Sequence, residues 1–157
     1  MKIKIRKAKL DDIKTMQKFM YLLMQDEYEM FDPTNKITWA KSQACADYFE
    51  MRIENNNSYA LIVEDNGKPI GYLSGEVRTA PKYRTLKKIG EIGDMFILEQ
   101  YRNKKIGTKL IKEFIKWAKK RKAQKLMVHA FAHNNKALRF YRRHGFDDYT
   151  MILESKI

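Results

Sequence analysis

The sequence predicts a mixed α/β (α+β) fold: a mostly antiparallel central sheet with helices on both faces, in the order β-α-α-β-β-β-α-β-α-β. Three observations predict it. A hairpin with an Asn-Gly turn stands in the first half, a long lysine-covered amphipathic helix in the second, and short apolar runs with strand character flank both. Hairpins followed by βαβ-like crossovers give a sheet of this kind. With 157 residues, 7 Gly and 3 Pro, and no repeat or low-complexity tract, the chain reads as one domain over residues 1–157.

The elements follow in order. Ile3 and Ile5 alternate with basic residues between Lys2 and Lys7, a half-buried strand. Asp11 or Asp12 caps a helix with Ile13, Met16, Phe19, Met20, Leu23 and Met24 on one face, broken at Asp32-Pro33. A second helical pattern after Thr38 turns Trp39, Ala46, Phe49 and Ile53 inward and ends at Asn55-Asn56-Asn57. The hairpin pairs Tyr59–Val63 with Ile70–Leu73 around Asp65-Asn66-Gly67-Lys68, its second strand running on through Val77. After a polar loop, Ile89 to Leu98 forms a strand with Gly90 and Gly93 inside it, which predicts a bulge or a close backbone approach. Ile106 to Arg121 is the amphipathic helix, Leu126–Val128 with Ala130 and Phe131 the next strand, and Asn134 or Asn135 caps a short helix ended by Gly145. Phe146 to Leu153 is expected as a terminal strand.

The longest apolar run, Phe19 to Met24, is too short to span a bilayer, and no secretory h-region follows the basic N-terminus, so no membrane role is expected. The single cysteine, Cys45, cannot form an internal disulfide; it suits a reducing cytoplasm and reads as small buried filler. The formal charge of +13 calls for an anionic partner or a solvated basic surface, and basic residues crowd between Arg102 and Lys125. Residues Asp26 to Asp32 lean acidic.

The chemistry concentrates where the strand ending at Leu98 leads through Tyr101-Arg102-Asn103-Lys104-Lys105 into the helix at Ile106. Backbone N–H groups at such a helix start form an anion nest favoured by the helix dipole, and Arg102, Lys104 and Lys105 add full charges. No Walker-type P-loop and no Gly-x-Gly-x-x-Gly opening a helix is present.

These residues carry a resemblance. Arg102-Asn103-Lys104-Lys105-Ile106-Gly107 resembles motif A of the GNAT N-acetyltransferases, Arg/Gln-x-x-Gly-x-Gly/Ala. Asn134 through Phe146, with Ala137, Phe140, Tyr141 and Gly145, resembles that family's second signature, Asn-x-x-Ala-x-x-Phe-Tyr-x-x-x-Gly-Phe. The resemblance covers essentially the whole chain and implies a GNAT-like fold, acetyl-CoA as acetyl donor, and a primary amine of a small molecule or peptide as acceptor. One departure is Lys105 where motif A usually has its first Gly. Lys can supply a nest N–H if its φ is negative, and Asn103 can take a left-handed conformation if the turn needs one.

The resemblance also implies site residues. Met95, Phe96 and Ile97 would run beside the pantetheine arm and offer an oxyanion donor. Arg102, Asn103, Lys104, Lys105, Ile106, Gly107 and Thr108 would hold the pyrophosphate, and Asn134 would bond near the pantetheine. Tyr141 would be the general acid, its ordinary pKa of about 10 close to that of an alkyl thiol. In polyamine-acetylating relatives a Glu often stands where this chain has Gly93, which leaves Asp94 and Glu91 as candidate bases. Strand alternation sends those two to opposite faces unless the Gly93 region is bulged.

The first two helices and their connection would cover the acceptor side. There Glu27, Tyr28 and Phe31 are the candidate contacts for a cationic amine, through carboxylate attraction and cation–π contact. His129, His133 and His144 lack partner ligands at metal spacing, so no metal is expected. Two competing readings are a basic nucleic-acid-binding module, disfavoured by the absence of any such motif, and an acetyl-CoA-binding sensor without catalysis. Oligomeric state is not legible, and a homodimer stays open.

Overall fold

The computed structural model describes residues 1–157. Strands β1 (Ile3–Lys7), β2 (Ser58–Asp65), β3 (Lys68–Thr79), β4 (Lys88–Ile97) and β5 (Lys125–Val128) form one sheet in sequence order. The first three pairings are antiparallel and β4–β5 is parallel. Helices α1 (Ile13–Met30) and α2 (Gln43–Glu54) cover one face; α3 (Ile106–Lys120) covers the other, with α4 (Asn135–Arg142) packed beside it. Short 3-10 turns stand at Leu10–Asp12, Ile37–Lys41 and Glu99–Tyr101.

Each element has a local cause. The hairpin turn holds Asn66 at φ 48 and Gly67 at φ 80, the two positive angles a two-residue turn needs to match strand twist. Ser42 caps α2 by accepting from the Cys45 N–H, and Asn134 caps α4 by accepting from the Ala137 N–H. Two cores result. Met16, Phe19, Met20, Phe49 and Tyr72 fill the α1/α2 side; Leu73, Ile92, Leu110, Ile111 and Phe114 fill the α3 side. Full burial of each such side chain is worth roughly 1.5–3 kcal/mol. Cys45 is fully buried in the first core, as the filler reading expects, and burial pushes its thiol up to about 11.

The predicted terminal strand does not form, and the chain after α4 pairs with no strand. Gly145 turns left-handed at φ 84, and Arg142 then grips both carboxylate oxygens of Asp148 at 3.0 and 2.7 Å. Met151, Ile152 and Leu153 beyond it remain exposed. No helix is long and apolar enough to cross a membrane.

Candidate active site

The site grows from one irregularity in β4. Ser74 pairs with Asp94 and Gly75 with Ile92, which leaves Gly93 as the extra residue of a bulge. A strand without it would send Ile92 and Asp94 to the same face. Here Ile92 enters the α3-side core, whereas Asp94 meets Tyr48 of α2. The same bulge brings Glu91 onto the Asp94 side, opposite Glu76 in register. The bulged position has to be small: a Cβ at Gly93 would lie 3.0 Å from the Tyr48 hydroxyl and 3.6 Å from Arg52 Nη2.

At the bulge the sheet also splits. Pairing of β4 with β5 ends at Ile92–Val128, so Asp94 to Ile97 pair only with β3 and their other edge is open. Leu98 donates its N–H to Ile70 across β3. By strand alternation, Phe96 and Asp94 also address β3, while the backbone groups of Met95 and Ile97 point out of the open edge. Of the three residues expected to flank a pantetheine arm, Met95 and Ile97 turn backbone groups to the open edge, whereas the Phe96 backbone faces β3 and its ring stacks on Phe19 in the core.

The open edge leads into the Arg102–Thr108 turn. Asn103, Lys104 and Lys105 donate their backbone N–H groups to no acceptor in the chain, and the N–H groups of the first turn of α3 follow. Asn103 sits at φ 63 and Lys105 at φ 60. The expectation of a negative φ at Lys105 fails: the position keeps the left-handed backbone a glycine would adopt, with a lysine on it. Alternation of such residues with right-handed ones curls successive N–H groups toward one point. Gly107 is explained by packing, since a Cβ there would stand 3.0 Å from Cζ of Phe140 on α4.

Arg102 is placed differently from the other cations. Its Nε donates to the Ile97 carbonyl at 2.8 Å, its Nη2 reaches Asp26 of α1 at 3.1 Å, and its guanidinium lies over the Phe96 ring. It ties the helix α1 to the nest instead of projecting into it. Sequence reasoning missed His144 in this region. Its Nε2 lies 3.0 Å from the Thr108 hydroxyl and its Nδ1 lies 2.8 Å from the Phe140 carbonyl, which can only accept. Nδ1 therefore carries the proton and Nε2 accepts from Thr108, which locks α3 to α4.

Tyr141 extends from α4, packed against Phe140 and Phe146, and its hydroxyl has no hydrogen-bond partner in the chain. Burial, with a smaller contribution from the Asp94 charge, pushes it up to about 12, so it is held protonated. Asp94 accepts at Oδ2 from the Ser74 hydroxyl at 2.5 Å and the Tyr48 hydroxyl at 2.9 Å. Burial raises its pKa above the ordinary carboxylate value, opposed by those two hydrogen bonds and by Arg52. Glu91 is otherwise engaged, paired with Arg78 and 3.4 Å from His129 Nε2. Asn134 uses Oδ1 in its cap and keeps its amide N–H groups free.

On the acceptor side the acidic segment sorts itself. Asp26 pairs with Arg102, Asp32 closes a turn with Thr34, and Glu29 accepts from Gln25. Only Glu27 is drawn inward; burial first and the Asp94 charge second push it up to about 7. Phe31 stacks on Phe131, beyond β5, at 5.4 Å. Tyr28 is exposed, whereas Glu27 and Phe31 are half-buried. Nowhere do three His, Cys, Asp or Glu side chains converge as a metal site would need.

The sequence model of the Acetyltransferase (GNAT) family matches residues 18–146. The chain belongs to the GNAT family. An uncharacterized N-acetyltransferase of Methanocaldococcus jannaschii is 27% identical over 125 residues, which is 80% of this chain but only 54% of that protein's length. A predicted acetyltransferase of Clostridium acetobutylicum, solved with acetyl-CoA, superposes with a TM-score of 0.79 at 24% identity, covering 99% of this chain and 96% of its own. AAC(6')-Iy, solved with the bisubstrate analog CoA-S-monomethyl-acetylneamine, superposes with a TM-score of 0.75 at 11% identity, covering 100% and 99%. At such identities these structures establish the fold.

Proposed function

We propose that this GNAT domain transfers the acetyl group of acetyl-CoA to a primary amine of a small molecule or peptide, by direct attack in a ternary complex. One observation carries the reading. An open strand edge at Met95 and Ile97 runs from a partly buried carboxylate, Asp94, into unpaired N–H groups at Asn103–Lys105, beside a phenol with no partner. The edge holds the pantetheine arm by strand-like hydrogen bonds, and an outward N–H of Met95 or Ile97 stabilises the developing oxyanion. The nest from Asn103 to Thr108 takes the pyrophosphate, with Lys104 and Lys105 supplying charge.

Asp94 accepts one proton from the acceptor ammonium, directly or through water, and the free amine attacks the thioester carbon. The C–N bond forms, the carbonyl oxygen takes the charge, and the C–S bond breaks as that oxyanion collapses. Tyr141 gives its proton to the leaving sulfur, while the second nitrogen proton leaves through water and restores the Tyr141 phenol. The phenol enters the reaction protonated, although burial makes it a weaker acid than an ordinary tyrosine. Glu27, with Tyr28 and Phe31 around it, makes a cationic acceptor the better fit, and the bisubstrate complex of AAC(6')-Iy is a precedent for such an acceptor on this fold. The test is thiol release from acetyl-CoA against a panel of polyamines, aminoglycosides, lysine peptides and free N-terminal peptides. Release with at least one amine supports the proposal. Acetyl-CoA binding without release from any would indicate a sensor, and salt-dependent DNA binding without acetyl-CoA binding a basic binding module.

A further inference from the structure

Asp94 has two chemically distinct oxygens. Oδ2 is held from both sides, by Tyr48 of α2 and Ser74 of β3. Oδ1 accepts nothing from the chain, and it is not among the buried polar atoms left without a partner, so it keeps contact with solvent. Tyr48 is in turn held in place. The Arg52 guanidinium lies over its ring with 5.0 Å to the centroid, and Arg52 Nη1 lies 3.1 Å from Glu76 Oε2 as an ion pair without hydrogen-bond geometry. Trp39 and Phe49 pack edge-on against the same ring. The Gly93 bulge leaves only enough room for the Tyr48 hydroxyl to reach the carboxylate.

We infer that Tyr48 is a positioning residue for acetyl transfer: with Ser74 it clamps Asp94 Oδ2, so that Oδ1 alone is presented to the acceptor amine as the proton-accepting atom. The inference rests on the reading of Asp94 as the base. A carboxylate free to rotate would divide its two oxygens between the amine and its own neighbours, and either would be misdirected part of the time. The clamp also limits how far burial raises the proton affinity of Asp94, because both hydroxyls bond the charged form. The titratable and charged groups that act with Asp94 are Tyr48, Arg52 and Cys45 of α2, Tyr72 of β3, Glu27 of α1 and Tyr141 of α4. Of these, only Tyr48 hydrogen-bonds to the carboxylate.

The experiment compares wild type with Tyr48→Phe, Ser74→Ala and Asp94→Asn in the full chain. It reads the carboxyl carbon titration of Asp94 by NMR, and kcat/KM against pH with the best amine of the acceptor panel. Tyr48→Phe keeps the ring and its packing. It should raise the Asp94 midpoint by about one pH unit and move the acid limb of kcat/KM upward with it. Ser74→Ala should shift both the same way, and activity should recover in part at higher pH. Asp94→Asn should lose activity across the whole range. An Asp94 midpoint that is the same in Tyr48→Phe as in wild type overturns the clamp while leaving the base assignment standing. Full activity in Asp94→Asn overturns the base assignment, and with it the role given to Tyr48.

Discussion

Lys105 stands at φ 60 and ψ 12 immediately before α3, where the signature of the family usually has glycine. A side chain in the left-handed region costs roughly 1–2 kcal/mol. Glycine avoids that cost but loses about 0.5–1 kcal/mol more backbone entropy on folding than alanine. Lys105→Gly and Lys105→Ala both delete the ammonium, so the difference between them isolates the backbone. At a negative φ the alanine variant would be the more stable. At φ 60 the glycine variant should be more stable, by about 0.5–1 kcal/mol, which for a domain of this size is about 1–4 °C in Tm. Thermal melts of the two variants read the sign directly. Acetyl-CoA titrations at two salt concentrations read the charge: both variants should bind more weakly than wild type, by similar factors and with a shallower salt dependence. An alanine variant melting at or above the glycine variant would mean that Lys105 is not left-handed, and the nest geometry would be wrong.

Three further outcomes are expected. Tyr141→Phe should leave the acetyl-CoA Kd unchanged and lower kcat about 10²-fold or more, as loss of a general acid does; weaker binding with normal turnover per bound enzyme would confine Tyr141 to a binding role. Gly107→Ala sets a helix-propensity gain of about 0.5–1 kcal/mol against a Cβ contact of 3.0 Å with Phe140, so in a double-mutant cycle Phe140→Leu should make the alanine more favourable, and zero coupling would show that the two positions do not press on each other. Glu27, pushed up to about 7, keeps its proton in the folded chain over a range where the unfolded chain has released it, so stability should fall as pH rises from the ordinary carboxylate range to about 7. Glu27→Gln should flatten Tm against pH in that window, and an unchanged slope would show that Glu27 is not drawn inward.

Much of the fold was legible because its signals are local. The Asn66-Gly67 turn, the apolar stripe of α3 and the cap at Asn134 each act within a few residues, and the structure has all three. The terminal strand failed at the level of pairing between elements. Phe146 to Leu153 has strand-like residues, but the segment pairs with no strand of the sheet, and Tyr149, Met151, Ile152 and Leu153 stay exposed. The site divides the same way. The Asn103–Thr108 turn and Tyr141 were marked by their motifs. Tyr48, Ser74 and His144 were not, because each matters through a partner 46, 20 or 36 residues distant. The acidic segment showed its charge but not its sorting: Arg102, expected at the phosphates, neutralises Asp26 and leaves Glu27 as the inward carboxylate.

The placement of Asp94 follows from a residue that has no side chain. A glutamate at position 93 would put its carboxylate on the strand itself; glycine there removes that option and admits the bulge. Three consequences follow from the same inserted residue. It turns Asp94 toward α2 instead of the α3-side core, it ends the β4–β5 pairing so that the edge at Met95 and Ile97 opens, and it clears the space into which the Tyr48 hydroxyl reaches. One added carbon would stand 3.0 Å from the Tyr48 hydroxyl, a tight contact to which the hydroxyl would have to yield. In this chain the carboxylate stands at position 94, next to the bulged glycine, and the bulge turns it to the face covered by α1 and α2.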